Sequence, residues 1–162
     1  MNLSMLLTKT ALNLPDNTAL IHGSKQLTYA QLNVRANRLA NVLRNLGIRP
    51  GDNVAILQYN TPEFYESLFA CFKTGCGAVP INFRLHPKEF AFIIDHSGAK
   101  AVILSAEFNA SIMEVRDCIP AAKHLITLRG GGEELLDYEK LLCDASDERV
   151  DADVRLQFKA AF

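Results

Sequence analysis

Four sites along the sequence combine residue types that bind anions or do chemistry. Gly75-Cys76-Gly77 and Gly130-Gly131-Gly132 are glycine-rich, and glycine lets backbone N–H groups approach a phosphate closely. Asp95-His96-Ser97 contains the three residue types of a hydrolase triad. Arg84 carries a planar guanidinium that can meet phosphate oxygens through two hydrogen bonds. Whether any of them does this chemistry depends on the elements that position it.

The order of those elements argues against a phosphate loop at either glycine motif. Such a loop needs a strand that enters the glycines and a helix that leaves them. A helical pattern enters Gly75-Cys76-Gly77 and a strand pattern leaves it, which predicts a helix end with close backbone packing. Gly130-Gly131-Gly132 precedes a predicted helix, but Glu133-Glu134 in its first turn would repel a phosphate. We interpret the second motif as a flexible surface loop.

Of the remaining two sites, Asp95-His96-Ser97 is not expected to do chemistry, whereas Arg84 is a candidate for ligand binding. Consecutive residues at a helix C-terminus point around the axis, so Asp95-His96-Ser97 predicts a polar helix end rather than a triad. Arg84 follows a buried-strand pattern over residues 78–81, at the strand end where open α/β sheets bind ligands. Arg84 is therefore the one candidate for a binding residue, with a plain surface arginine as the alternative.

Apolar runs and helical stripes alternate along the chain and predict an α/β fold. Strands are expected at residues 54–57, 78–81, 101–104 and 125–128, and their unbroken apolar runs suit burial on both faces. Helices are expected before and between them, near residues 3–14, 28–47, 61–75, 87–98, 112–119 and 135–142, with a small hairpin at 18–29. This order predicts a mostly parallel sheet with helices on both faces. From about Asp144 to residue 162 the sequence predicts an extended or disordered tail.

Composition and charge exclude several function classes. The 162 residues carry 17 Lys plus Arg against 18 Asp plus Glu, with no basic run, so the chain is not a typical nucleic-acid binder. The apolar stretch at residues 3–7 is too short for a signal peptide or a membrane span. The 4 cysteines form no C-x-x-C pair and the 4 histidines no i,i+4 pair, so we expect no metal site. A reducing cytoplasm is the expected location.

Several segments together resemble the amino-terminal part of the adenylate-forming (AMP-binding) superfamily. They are residues 16–20, 27–32, 46–55 and 72–82, and it is their order and spacing within residues 16–104 that carry the resemblance. Pro80-Ile81-Asn82-Phe83-Arg84-Leu85 followed by Pro87-Lys88-Glu89 is more similar to the acyl-CoA synthetase and fatty-acid–CoA ligase branch than to peptide-synthetase domains. His86 departs from the Ser or Thr helix cap that such relatives often carry, which implies a weaker cap.

The resemblance implies a reaction and a set of ligands. Such ligases use ATP and Mg²⁺ to convert a carboxylic or fatty acid to an acyl-adenylate, and then pass the acyl group to CoA. An arginine at the position of Arg84 can lie near the CoA phosphates. The resemblance thus implies one cofactor-binding residue, Arg84, and fatty acid metabolism as the setting.

The resemblance also implies what this chain lacks. No segment matches the Ser/Thr/Gly-rich phosphate loop of the superfamily, so we expect no catalytic residue, no bound cofactor and no activity from these residues alone. On this view residues 1–143 are the N-terminal α/β subdomain of an AMP-binding domain, and residues 144–162 are a truncated tail. The alternative is a non-catalytic interaction module that pairs with a separate remainder, or with itself, through uncovered apolar surface.

Overall fold

A computed structural model describes residues 3–150 of the chain. Its strands are β1 (Thr18–His22), β2 (Lys25–Thr28), β3 (Asn53–Leu57), β4 (Gly77–Pro80), β5 (Ala99–Leu104), β6 (His124–Thr127) and β7 (Leu135–Asp137). Its helices are α1 (Ser4–Asn13), α2 (Tyr29–Asn45), α3 (Pro62–Thr74), α4 (Pro87–His96), α5 (Asn109–Glu114) and α6 (Tyr138–Asp144). Short 3₁₀ turns flank α5 at Ala106–Phe108 and Arg116–Cys118.

Five strands form one parallel sheet in the order β4-β3-β5-β6-β7. The first two strands of the chain form a separate antiparallel hairpin. Each parallel step is joined by a helix or a helical turn except the link from β6 to β7, which has none. The predicted α/β fold with a mostly parallel, helix-covered sheet is confirmed.

Local signals in the sequence fix the ends of the helices. Thr28 and Gln31 form a reciprocal capping box at the start of α2, with hydrogen bonds of 3.2 and 2.9 Å. Gly75 ends α3 in the left-handed conformation, at φ 75°. A Cβ atom at Gly77 would lie 2.2 Å from Oδ1 of Asn53, whose amide already donates to the Ser97 carbonyl. The predicted helix end with close backbone packing at residues 75–77 is therefore confirmed.

Two apolar cores cover the two faces of the sheet. The first face packs against α2, α3 and α6 and receives alternate strand side chains, Val54, Ile56, Ala101, Ile103 and Ile126. The second face packs against α4 and α5 and receives the other set, Ala55, Leu57, Val102, Leu104 and Leu125. A smaller core under α1 and the hairpin joins Leu7, Leu32 and Ala36. This two-sided burial explains why the strands are apolar without alternation.

The prediction of one helix over residues 135–142 is wrong. Residues 135–137 form β7, which pairs in parallel with β6, and α6 begins only at Tyr138. Asp137 caps that helix, because its Oδ1 accepts the N–H of Lys140 at 2.8 Å. The spacing of Leu135, Tyr138 and Leu142 fits a helical stripe, yet a short apolar run fits a buried strand equally well. Glu133-Glu134 consequently lies before a strand and not in the first turn of a helix.

The segment after α6 lies along α2. Asn37 donates to the Asp147 carbonyl at 3.0 Å, and Asn41 donates to the carbonyls of Ser146 and Glu148. Val150 is buried in the core of the first face. The rest of the predicted tail, residues 151–162, lies outside the described residues. Within residues 3–150 no helix has the length and apolar character needed to cross a membrane.

Candidate ligand-binding edge of the sheet

The carboxyl ends of the parallel strands meet at one edge of the sheet and are tied to one another. The N–H of Ser105, after β5, donates to the Leu57 carbonyl at the end of β3, at 3.0 Å. The Ser105 hydroxyl accepts the N–H of Tyr59 at 3.1 Å. Leu128, after β6, donates to the Leu104 carbonyl at 3.0 Å. This edge is where open α/β sheets bind their ligands, and we call it the ligand edge.

A cleft of about 310 Å³ opens at the ligand edge. Its walls include the cations Lys25 and Arg129 and the carboxylates Glu63, Glu107 and Glu139. Lys25 and Glu63 form an ion pair of 3.1 Å across the gap between the hairpin and α3. Partial burial alone raises the pKa of Glu63, but hydrogen bonds at the start of α3 and the Lys25 ammonium outweigh it and hold that pKa below its ordinary value.

The charges around this cleft do not fit a triphosphate. Lys25 is already paired with Glu63, and Glu139 is paired with Arg35 behind the wall. Arg129 is therefore the one lining cation without an ion pair among the described residues, and Glu107 lies in the same wall. A phosphate site instead needs convergent N–H groups and unopposed positive charge. Among residues 3–150, no three His, Cys, Asp or Glu side chains gather closely enough to hold a metal ion.

Arg84 lies on the rim of the same edge, outside the cleft wall. Its side chain is exposed, and its guanidinium stands 5.7 Å from the centre of the Phe83 ring. The Phe83 ring contacts Tyr59 at 4.9 Å, and Tyr59 contacts Phe108 at 5.4 Å, so three rings form a row from the rim to the cleft. The Arg84 N–H donates to Oδ1 of Asn82 at 3.0 Å, which fixes the turn. The arginine is thus held on an aromatic support with its charge facing solvent.

Other residues singled out in the sequence have structural roles. His86 does cap α4: its Nδ1 accepts from the Lys88 N–H at a long 3.4 Å, while Glu89 accepts from the His86 N–H at 2.8 Å. Ser97 donates to the Ile94 carbonyl at 2.9 Å, and His96 stacks on Phe92 with 5.5 Å between rings. Asp95-His96-Ser97 is therefore a polar helix end, as predicted, and not a triad.

The sequence analysis missed a buried ionic cluster behind the cleft. Glu66 and Tyr138 are both 0% exposed, and the tyrosine hydroxyl donates to Oε2 of Glu66 at 2.6 Å. Arg35 donates through Nε to Glu66 at 2.6 Å and through both terminal nitrogens to Glu139 at 3.1 and 2.6 Å. We call these four residues the Arg35 cluster. It joins α2, α3 and α6 to the wall of the cleft through Glu139.

Burial and charge shift the pKa values within the Arg35 cluster. Burial raises the pKa of the Tyr138 hydroxyl well above its ordinary value, and the negative charge of Glu66 raises it further. Burial lowers the pKa of Arg35, but its hydrogen bonds to Glu139 and Glu66 more than reverse that effect. Tyr138 is therefore a neutral phenol and Arg35 a cation.

One sequence signal could have located part of the Arg35 cluster. The apolar spacing of Tyr65, Leu68, Phe69 and Phe72 predicts that this side of α3 faces inward, but none of the four is fully buried and Tyr65 is 40% exposed. The buried side of α3 instead carries Glu66, Ala70 and Lys73. Glu66 lies four residues before Ala70, so helical spacing places this carboxylate on a small-residue face that can approach a neighbouring element closely.

The fold is an open, helix-covered parallel α/β domain, a class whose members bind ligands where their strands end. A family model described as AMP-binding enzyme matches residues 7–156, and the chain belongs to this family. Feruloyl-CoA synthase from Amycolatopsis sp is 41% identical over 125 residues, which cover 77% of this chain and 24% of that protein. The 3-oxocholest-4-en-26-oate–CoA ligase of Rhodococcus rhodochrous is 33% identical over 141 residues, 83% of this chain and 25% of that ligase.

The solved structures agree with the sequence matches. The N-terminal domain of FACL13 from Mycobacterium tuberculosis superposes with a TM-score of 0.87 at 33% identity, over 95% of this chain and 39% of that one. The predicted resemblance to the N-terminal part of adenylate-forming acyl-CoA ligases is confirmed. The chain spans only about a quarter of the length of the curated relatives above, 24% and 25%.

Proposed function

We propose that the chain supplies the N-terminal α/β part of an ATP-dependent acyl-CoA ligase. The complete reaction joins a carboxylic or fatty acid to CoA through an acyl-adenylate, with Mg²⁺, and releases AMP and pyrophosphate. Support comes from the family match over residues 7–156 and from relatives that are themselves CoA ligases. The free state of Cys71, Cys76, Cys118 and Cys143 is in keeping with a reducing cytoplasm as its location.

We further propose that residues 1–162 do not form the acyl-adenylate by themselves. The observation that carries this is the charge of the ligand-edge cleft, where Lys25 is paired with Glu63 and Arg129 is the one other cation among the described residues of the wall, beside Glu107. Adenylyl transfer depends on electrostatic stabilisation of phosphate charge by cations and N–H donors. In this proposal the remainder of the ligase supplies those groups, and the ligand edge provides one wall of the site.

A pyrophosphate exchange assay tests this pair of proposals. The 162-residue chain is incubated with ATP, Mg²⁺, radiolabelled pyrophosphate and a panel of aromatic and fatty acids. We expect no exchange above background from the chain alone, and exchange when the same residues replace the corresponding part of a relative such as feruloyl-CoA synthase. Turnover by the chain alone would overturn the second proposal. An inactive but folded hybrid would overturn the first.

Arg84 is the residue that we propose to contact CoA. Its exposed guanidinium, held over the Phe83 ring, can meet a phosphate through two parallel hydrogen bonds. Calorimetric titration of the chain with CoA should give a measurable heat that Arg84→Ala abolishes. Lys88→Ala removes an exposed charge four positions away and should leave the heat unchanged. Equal weak heats from the native chain and Arg84→Ala would discard this role.

A second candidate function is pairing with a separate remainder or with a second copy. The observation that favours it is the outer side of α1: the helix buries Leu7 and Ala11 together with Ser4 and Thr8, but it leaves Leu6 and Leu12 57% and 73% exposed, next to Leu3 at 53%. Exposed apolar groups of this kind mark contact surfaces when they lie together. Light scattering after size-exclusion chromatography decides, because a monomer that stays monomeric at high concentration contradicts self-pairing.

A further inference from the structure

Asparagine recurs at every fourth position along α2. The four residues are Asn33, Asn37, Asn41 and Asn45. Residues four apart on a helix lie on one side of it, so the asparagines form a stripe along α2. Asparagine favours a helix interior less than alanine or leucine does, because its short side chain also forms hydrogen bonds in non-helical conformations. The stripe therefore indicates a role other than helix formation.

The two middle asparagines bind the segment that follows α6. The Asn41 carboxamide donates through Nδ2 to the Ser146 carbonyl at 2.9 Å and to the Glu148 carbonyl at 3.0 Å. Asn37 donates through Nδ2 to the Asp147 carbonyl at 3.0 Å. Asn41 Nδ2 also lies 3.2 Å from the backbone carbonyl of Asn37, one turn earlier in the helix. Two side chains thus satisfy three consecutive carbonyls, and we call Asn37 and Asn41 the asparagine clamp.

Residues 146–150, which we call the strap, are held mainly by their main chain. They belong to no helix or strand. The side chains of Asp147 and Glu148 are exposed, and neither carboxylate belongs to an ion pair found within residues 3–150. Val150, at 5% exposure, is the one strap side chain that is buried, in the core of the first face. The clamp therefore binds carbonyl groups that any residue type would offer at the same positions.

The orientation of the Asn37 carboxamide is set by the strap. Asn37 is 4% exposed, and its Oδ1 accepts no hydrogen bond within residues 3–150. Exchange of Nδ2 and Oδ1 would place Oδ1 against the Asp147 carbonyl oxygen, and two acceptors form no hydrogen bond. The observed orientation therefore keeps the strap contact although it leaves a buried oxygen without a donor, which costs free energy.

The two outer asparagines of the stripe do not bind the strap. Asn33 accepts a hydrogen bond from the Lys73 ammonium through Oδ1 at 3.0 Å, between α2 and α3. Asn45 is exposed at the end of α2 and forms no hydrogen bond with the described strap residues. Binding of the strap is thus confined to the middle of the stripe, and Asn45 offers a matched control within the same helix.

We propose that α2 carries a docking surface for main chain, formed by the asparagine clamp, and that its occupant is the strap of the same chain. Carbonyl recognition fixes the path of the chain from the end of α6 to Val150, whatever side chains occupy residues 146–148. In the proposed ligase this path leads to the part that follows, so Asn37 and Asn41 act as positioning residues. That last step rests on the proposed function, whereas docking of the strap does not.

Backbone nitrogen relaxation of the full 162-residue chain tests the docking. Order parameters are about 0.85 for rigid backbone and below about 0.6 for flexible backbone. We expect rigid values at residues 146–149 of the native chain and flexible values in Asn37→Ala/Asn41→Ala, with α2 unchanged, because alanine keeps the helix and removes only the donors. Asn41→Ala alone removes the contacts to Ser146 and Glu148 and decides if the double variant does not fold. A rigid strap in the folded variant would overturn the proposal.

Matched controls separate main-chain recognition from other causes. Asn45→Ala removes an exposed asparagine of the same stripe and should leave the strap rigid. Asp147→Ala/Glu148→Ala changes two strap side chains but keeps their carbonyls, and should also leave it rigid. The native strap should stay rigid in about 1 M salt, because salt screens charges and not hydrogen bonds between neutral groups. A flexible strap under any of these three conditions would overturn the proposal.

The hybrid of this chain with feruloyl-CoA synthase tests the positioning role. With Asn37→Ala/Asn41→Ala, kcat for pyrophosphate exchange should fall several-fold while the Tm of the hybrid stays the same, whereas the Asn45→Ala hybrid should match its parent. Equal kcat in the clamp variant and the parent, or a loss of kcat that only follows a lower Tm, would overturn this role. An inactive parent hybrid would contradict the proposed function instead, and the relaxation measurement would still decide the docking.

Discussion

The two faces of the parallel sheet are held by different kinds of interaction. The face under α4 and α5 has an apolar core, with Phe90, Ile94 and Ile112 buried against strand side chains. The face under α2, α3 and α6 has an apolar centre too, but its helices are also joined by the buried Arg35 cluster. Lys73, 0% exposed, adds hydrogen bonds from α3 to Thr8 and Asn33 at 3.0 Å.

The two kinds of interaction have different effects: apolar packing stabilises the fold, whereas buried hydrogen bonds and ion pairs also fix how the helices are placed relative to one another. Apolar packing tolerates small shifts of a helix along the sheet, because its attraction has no direction. A buried carboxylate that accepts hydrogen bonds from two other helices fixes their relative positions, since any displacement leaves a charge unpaired. The face under α2, α3 and α6, which we call the polar face, also presents Glu139 to the ligand-edge cleft. The directional hydrogen bonds of the Arg35 cluster therefore fix the position of one wall of that cleft.

The largest expected effect tests the polar face. Glu66→Ala leaves Arg35 and the Tyr138 hydroxyl without their shared partner, and we expect a loss of about 3–5 kcal/mol in the free energy of unfolding. Urea denaturation measures it. Glu139→Ala removes a carboxylate whose side chain is 52% exposed and should cost less than about 1 kcal/mol. Equal losses of stability in the two variants would contradict the claim that the burial of Glu66 makes its removal more costly.

The next effect tests the apolar face. Ile94 is 0% exposed, and Ile94→Ala removes buried methyl groups and leaves a cavity, which typically costs about 2–5 kcal/mol; we expect about 3. The neighbouring Ile93 is only partly buried, so Ile93→Ala should cost clearly less. Both losses should be independent of salt, because neither variant changes a charge. A marked salt dependence for Ile94→Ala would contradict the contrast between the faces.

Tyr138→Phe removes one hydrogen bond from the Arg35 cluster and should cost about 1.5–3 kcal/mol. The difference in the free energy of unfolding between the native chain and this variant should also depend on pH. Because the folded pKa of Tyr138 is raised, its contribution is fully present below the ordinary tyrosine pKa of about 10 and is lost as pH rises above it. The alkaline decline in stability should therefore be shallower in Tyr138→Phe than in the native chain. The buried Cys71 thiol, with its raised pKa, adds a decline of the same sign in both proteins.

A matched tyrosine makes this measurement specific. Tyr65 is 40% exposed and lies outside the Arg35 cluster, so Tyr65→Phe serves as the control for loss of a phenol hydroxyl. Stability is measured by urea denaturation between neutral and strongly alkaline pH. Identical alkaline profiles for the native chain and Tyr138→Phe would rule out Tyr138 as the source of the slope.

The smallest effect belongs to neither face but to the surface ion pair between Asp52 and Lys100. Lys100→Ala should cost about 0.2–1 kcal/mol at neutral pH, because the lysine side chain is 53% exposed. Burial by itself raises the pKa of Asp52, but Lys100 and the Arg49 N–H lower it below the ordinary 3.8. The stabilisation is thus present above that value and lost as pH falls through the folded pKa. Native and variant stabilities should converge in acid, and a constant difference would contradict this assignment.

Sequence patterns predicted the elements whose signals are local. The capping box at Thr28 and Gln31 and the left-handed Gly75 depend on neighbours within one turn, so α2 and the end of α3 were predictable. The strand β7 was not, because its three residues become a strand only by pairing with β6. Local propensity carries no information about that partner.

The Arg35 cluster was unpredictable for a related reason. Its contacts join residues 31, 72 and 104 positions apart, and no local pattern specifies which charges will meet in the interior. Arg84 was singled out because the end of a parallel strand is a general ligand position. Its place on the rim fits that expectation, and its role toward CoA stays a prediction.

The outer strands of the sheet have a consequence for how the chain behaves among its own copies. Among the described residues, β4 and β7 flank the parallel sheet. β4 ends in Pro80, which has no N–H to offer a further strand, and β7 has only three residues. Both borders are therefore poor templates for cross-β stacking, in which open strand edges recruit one another into fibrils. An incoming chain therefore finds few backbone N–H groups to pair with at either border.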